Sequence, residues 1–209
     1  MARFHKNHWL KKHGHLLLLL YVPLYLWGFF TLERLIDGSQ PYWVSYLPVD
    51  ELIPFCEVFV IPYLLWYPYL FLSGLIPLLQ KDTKNFRRYM YFIMASFSLS
   101  LVIFLLFPNG QNLRPASFPR DNVFTRLVAA LYAVDTNTNV LPSIHVAGCL
   151  PGLAMAYHND RLRRWRWLWL VLTVLISLST VFIKQHSLLD LLAGLAMCVP
   201  LYFLIYRKA

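Results

Sequence analysis

Most of this chain is divided among apolar stretches too long to be kept in water, and that property confines it to a membrane. A bilayer core about 30 Å thick is crossed by roughly 20 helical residues. Apolar segments of that order run over residues 15–35, 53–79, 89–107, 167–183 and 188–206, with a shorter one at 144–157. Inside hydrocarbon the backbone must satisfy its own hydrogen bonds, so runs of this kind fold as helices. The expected fold class is all-α, a polytopic membrane protein built as a six-helix transmembrane bundle, with residues 1–209 as one domain. Pro54, Pro62, Pro68 and Pro77 predict a kinked or broken second helix, because each internal proline removes a backbone donor. The short segment at 144–157 predicts a helix that begins in the interface or inside the bundle.

Composition agrees. With 58% hydrophobic and 14% charged residues, the chain lacks the polar surface of a soluble domain. A net charge of +9 raises the question of nucleic acid, but the charges form short clusters between apolar runs, as at the cytoplasmic ends of spans. No nucleic-acid partner is expected. The basic start followed by an apolar core superficially resembles a signal peptide. No small-residue cleavage site follows Leu20, and the run continues past Phe30, so it reads as a retained first span. Cys56, Cys149 and Cys198 fall inside apolar segments without paired spacing and read as buried, inert thiols. His5, His8, His13 and His15 among lysines read as cytoplasmic padding more readily than as a metal site. The run Arg161 to Arg166 reads as headgroup anchoring.

Six spans put both termini on one side, and the basic residues then choose the side. Arg3, Lys6, Lys11, Lys12, Lys81, Lys84, Arg87, Arg88, Arg161, Arg163, Arg164, Arg166, Arg207 and Lys208 lie with the termini, fourteen of nineteen. Arg34, Arg114, Arg120, Arg126 and Lys184 lie opposite. The positive-inside rule predicts cytoplasmic termini, and a bacterial plasma membrane is the expected location.

Three segments on the outer side carry candidate chemistry: Arg114-Pro115, Pro142-Ser143-Ile144-His145, and Lys184 through Asp190. Ser143 is placed to cap a helix that starts near Ile144, and a helix N-terminus offers free amides to a phosphate. Taken alone, a plain serine cap with an incidental His145 explains that segment as well. His186 and Asp190 are four residues apart and share a helix face. The carboxylate would fix one ring nitrogen and leave the other as nucleophile or base. The alternative is an ordinary pair holding the helix end, although an ionisable group at the start of a span is functional by default. Lys184 and Arg114 either complete an anion site or anchor at the headgroups.

These residues resemble the type 2 phosphatidic acid phosphatase superfamily, which includes lipid phosphatases, lipid phosphotransferases and vanadium haloperoxidases. Its signature is Lys-x6-Arg-Pro, then Pro-Ser-x-His, then Ser-Arg-x5-His-x3-Asp. Arg114-Pro115, Pro142-Ser143-Ile144-His145 and His186-x3-Asp190 match in type, order and spacing. Two family phosphate ligands are absent, because Phe107 and Thr180 stand at the basic positions. Lys184 is the nearest replacement and Arg120 a weaker one. The reduced set is similar to the branch with inositol-phosphorylceramide and sphingomyelin synthases.

The resemblance implies a mechanism without metal or other cofactor. His186, oriented by Asp190, is the nucleophile and forms a phosphohistidine; His145 is the acid and base; Arg114, Ser143 and Lys184 bind phosphate. The expected activity is hydrolysis of a lipid phosphate such as phosphatidic acid, phosphatidylglycerophosphate or a polyprenyl diphosphate, on the extracytoplasmic face. The alternative is transfer of a phospho-headgroup to another alcohol. A non-catalytic anion channel or transporter ranks below both, since ionisable groups within the spans are few.

Overall fold

The computed structural model describes residues 13–207, so Arg3, Lys6, Lys11, Lys12, Lys208 and the histidines at 5 and 8 lie outside the described residues. The first span opens as a 3-10 turn over Gly14–Leu20 and continues as α1, Tyr21–Leu35. The proline-rich second span is broken, as expected: a 3-10 turn at Glu57–Phe59, α2 at Val60–Leu64 and α3 at Trp66–Leu79. The break at Leu65 precedes Pro68, which has no amide to give the Leu64 carbonyl. Then follow α4 (Thr83–Leu106), α5 (Val123–Val134), α6 (Ile144–Tyr157), α7 (Arg166–Phe182) and α8 (Leu188–Tyr206). Five segments among the described residues are long and apolar enough to cross a bilayer. Their outer faces leave large apolar side chains uncovered, among them Trp27, Phe71 and Leu204, which water would not tolerate and lipid would.

The sixth expected span, α6, is different in kind. It is short, most of its residues are buried, and α3, α4, α7 and α8 pack around it. The residues that lead into it, from Thr138 to Ser143, are mostly buried too, so the helix begins inside the bundle. Small side chains at Ala147, Gly148, Gly152, Ala154 and Ala156 let its neighbours approach closely, the packing expected where apolar burial alone does not drive association. Pro151 interrupts its ladder and leaves the Ala147 carbonyl without its helical donor. Ser96 Oγ of α4 supplies the missing bond at 3.2 Å. Tyr69 of α3 donates to the Cys149 carbonyl at 2.9 Å. All three cysteines are free, with Cys149 and Cys198 buried and Cys56 partly covered.

The connections gather at two ends of the bundle. At one, Trp43–Val44 (β1) pairs in parallel with Asn109–Gly110 (β2), and Gly110 bridges to Thr138. The same end holds α5, a helix that the sequence reading does not include; Asn122 caps it reciprocally with Thr125. At the other end Asn85 Nδ2 donates to the His158 carbonyl at 2.8 Å, and the Arg88 guanidinium lies 5.3 Å from the Tyr206 ring centroid. The Arg161 to Arg166 run forms a 3-10 turn over Asp160–Trp165 at that end, leading into α7.

A Cβ at Gly152 would lie 2.5 Å from a Tyr69 ring carbon and 2.6 Å from Ser73 Oγ. Overpacking of this kind costs about 1–3 kcal/mol. Gly152→Ala is therefore expected to lower the thermal midpoint in detergent by several degrees, and an unchanged midpoint would show that α3 yields without cost.

Candidate active site

The three motif-bearing segments converge. His145 lies in the first turn of α6, wedged between Tyr63 and Trp66 with ring centroids at 4.4 and 4.6 Å. Trp66 Nε1 donates to the His145 carbonyl at 3.1 Å. His186 lies in the turn before α8, its ring edge-on to His145 with centroids 5.6 Å apart. Its Nδ1 lies 3.2 Å from Asp190 Oδ2, which leaves Nε2 as the uncommitted nitrogen. Both rings line one narrow cavity of about 20 Å³, room for a single water.

Asp190 is wholly buried and fully bonded. Besides His186 it accepts from the Ser187 amide at 2.9 Å and from the Ser45 hydroxyl. Its own carbonyl accepts from the Ser143 amide at 3.0 Å, joining the start of α6 to that of α8. Asp50 provides a second clamp. Its carboxylate accepts from Ser187 Oγ at 2.6 Å and from the Leu188 amide at 2.8 Å. The connection between α1 and α2 therefore fixes the direction of the helix that follows His186.

Ser143 occupies the N-cap position of α6, but its hydroxyl makes no cap bond. Ser143 Oγ and His145 Nδ1 are both buried without a partner. Buried polar atoms are nearly always paired, so two orphans at one helix N-terminus mark a place prepared for a polar guest. The amides of that first turn add the partial positive charge of the helix end.

The other basic residues are engaged elsewhere. Arg114 donates through Nη2 to the carbonyls of Asp135 and Thr136 at 2.9 and 2.6 Å, and through Nε to Gln185 Oε1 at 3.1 Å. Its Nη1 reaches the Tyr132 carbonyl at 3.3 Å, and its guanidinium lies 4.4 Å from the Tyr132 ring centroid. It thus braces the segment after α5, with one Nη1 hydrogen uncommitted. Burial lowers its pKa, and Asp135 opposes that shift. Lys184 is placed apart from the histidines. Its Nζ donates to the carbonyls of Asp50 and Ile53, at 2.7 and 2.6 Å. It lines a separate cavity with Ser45, Asp50 and Asn112, and in this arrangement it tethers the chain at residues 50–53. Its φ of +56°, sparsely populated for a side chain of that size, turns the chain so that Gln185 and His186 face inward. Arg120 is likewise remote, paired with Glu57 at 2.9 Å. Thr180, at the family's arginine position, has its carbonyl bonded by the amides of Gln185 and His186 at 2.9 and 3.0 Å.

A family model described as the PAP2 superfamily matches residues 30–204. The chain belongs to that superfamily. Comparison with curated proteins and with solved structures returns no match. Membership in the PAP2 superfamily supports phosphatase-type lipid chemistry in general, and with the apolar helices it makes the chain an integral membrane protein.

Several residues of this PAP2 site escaped the sequence reading. Glu33 of α1 and Asp135 at the end of α5 line the cavity, as do Asn139 and Gln185. Desolvation raises the Asp135 pKa, and His186 and Arg114 pull it back. Glu33 carried a legible signal, a carboxylate near the end of an apolar span. Asp50 and Ser45, in a loop with no motif, carried none.

Asp50→Ala would strand the Ser187 hydroxyl and the Leu188 amide, at about 1–3 kcal/mol for a buried unpaired group. It is expected to lower kcat more than tenfold with a smaller change in KM, since it loosens His186 without touching substrate. Arg34→Gln, exposed at the same end, is the control and should be nearly silent. Equal effects of the two substitutions on kcat would remove the clamp from the mechanism.

Proposed function

We propose that this protein cleaves a lipid phosphate ester through a phosphohistidine on His186, with water as the usual acceptor. The observation that carries the reading is the pair of histidines facing one cavity, one ring held by a buried carboxylate and the other beside an uncapped helix N-terminus. His186 Nε2 attacks phosphorus, and the bond to the departing lipid oxygen breaks. His145 gives that oxygen a proton. Water then attacks the phosphohistidine, the P–N bond breaks, and His145 takes the water's proton. Ser143 and the first-turn amides of α6 stabilise the equatorial oxygens as charge moves. Transfer to a second alcohol is the other reading, favoured by the hydrogen-bond acceptors on the far wall of the same cavity.

No metal enters these steps. The expected results are that His186→Ala and His145→Ala each abolish turnover at unchanged membrane levels and that a chelator leaves the rate unaltered. Acid-labile, base-stable label from a radioactive lipid phosphate should appear on the wild-type chain and not on the His186 variant. Near-normal turnover of either variant would sink the scheme.

The site is proposed to face away from the cytoplasm, on the strength of the fourteen basic residues on the terminal side. In a cysteine-free background, Ser117→Cys should react with an impermeant thiol reagent in intact cells and Asp160→Cys should not, both positions being exposed at opposite ends of the bundle. The reverse labelling would put the site inside.

A further inference from the structure

The cavity that holds the two histidines has a second wall that the hydrolysis scheme does not use. Glu33 of α1 accepts from Thr136 Oγ1 at 2.5 Å and from Asn139 Nδ2 at 2.8 Å. Because Asn139 gives its Nδ2 to that carboxylate, its Oδ1 must turn elsewhere, and Oδ1 is buried with no partner. Asn139 is 5% exposed and sits at φ +57°, a left-handed position that asparagine tolerates better than most residues. Asp135 accepts on Oδ2 alone, from Gln185 Nε2 at 2.9 Å and Tyr63 Oη at 3.2 Å, which leaves Oδ1 open. Gln185 cannot rotate to offer a different group, since Arg114 holds its Oε1 at 2.6 Å.

The wall is therefore rich in acceptors and short of donors. Its oxygens are two carboxylates and an orphaned amide, and the Asn139 and Gln185 amides each spend one hydrogen on those carboxylates. Among the residues lining the cavity there is no Lys or Arg. The ester's phosphate is itself an acceptor, and a doubly charged phosphomonoester would meet two carboxylates with only histidines and helix amides to offset it. A phosphodiester carries one negative charge and a headgroup. If that headgroup bears hydroxyl or ammonium hydrogens, it supplies the donors this wall lacks. Metal chemistry does not explain the wall as well: among the described residues no three His, Cys, Asp or Glu side chains are grouped to hold an ion.

We propose that Glu33, Asp135 and Asn139 form a headgroup subsite that selects lipid phosphodiesters whose headgroup donates hydrogen bonds. The proposal rests on the phosphohistidine reading for its chemistry and adds the class of substrate. A polyol and a protonated amine offer the same donors to the same oxygens. They differ in charge, and this difference separates them experimentally.

The test uses the purified full-length protein in mixed micelles, following loss of four lipids: phosphatidylglycerol, phosphatidylethanolamine, phosphatidylmethanol and phosphatidic acid. Phosphatidylmethanol is a diester whose headgroup has no hydrogen to donate, so it isolates the subsite from the ester chemistry. At least one of the first two should exceed both of the others in kcat/KM by tenfold or more, in keeping with the discrimination of sites built to bond a hydroxyl or amine. Glu33→Gln should then shrink that ratio at least tenfold. A larger loss for phosphatidylethanolamine identifies ammonium as the preferred donor, and an equal loss identifies hydroxyl. Phosphatidic acid or phosphatidylmethanol consumed as fast as the best donor lipid would overturn the subsite, and this wild-type comparison holds even if the variant fails to fold. A uniform fall on all four lipids in Glu33→Gln would overturn it as well. Lipid loss that persists in His186→Ala would instead overturn the phosphohistidine, and no loss of any lipid would overturn both.

Discussion

A carboxylate with no exposure to solvent needs every lone pair answered, and Asp190 meets that demand by drawing two distant parts of the chain to one point. Its oxygens accept from Ser45, in the connection after α1, and from His186 and Ser187, at the start of its own helix. An unpaired charge in this setting would cost several kcal/mol, so the bonds to Asp190 are a condition of folding. The same carboxylate that sets the imidazole tautomer also completes the α8 capping box with Ser187. Orientation of the His186 ring and initiation of α8 are one arrangement here, and neither can be altered without the other.

The cavity's electrostatics follow from what the two nearby cations, Arg114 and Lys184, are doing. Arg114 is turned into the backbone of residues 135–136 and Lys184 into that of residues 50–53, so both hold chain in place. Positive potential at the histidines then comes from the amides of α6, with Arg114 acting from behind. Helix amides are fixed partial charges that need no counterion and add no flexible side chain to a crowded pocket. That suits a helix which begins within the bundle, where a free lysine ammonium would be poorly solvated.

Spacing and periodicity carried much of this to the page before any coordinates. The apolar runs marked the long helices closely, with 188–206 ending where α8 ends, because lipid-facing length is a property of composition alone. The i, i+4 step joined His186 to Asp190, and the prolines announced the broken second span. Tertiary destinations were not legible. Nothing in the sequence says that a lysine two residues before His186 bends outward to carbonyls, since a long stem reaches in any direction its backbone allows. Ser45 and Asp50 look like ordinary loop residues until the fold brings α8 to them. The helix at Val123–Val134 was hidden by its brevity, which placed it below the length that marks a span.

The bonds that hold the site also set when it can exist. Ser45 and Asp190 are 145 residues apart, and Asp50 and Ser187 are 137 apart. A chain that enters the membrane segment by segment exposes the loop of Ser45 and Asp50 well before α8 arrives with their partners. Until α8 is inserted, His145 has no opposite ring and the Ser143 amide lacks the Asp190 carbonyl it donates to. The two histidines are thus brought face to face only once helices far apart in the chain have met.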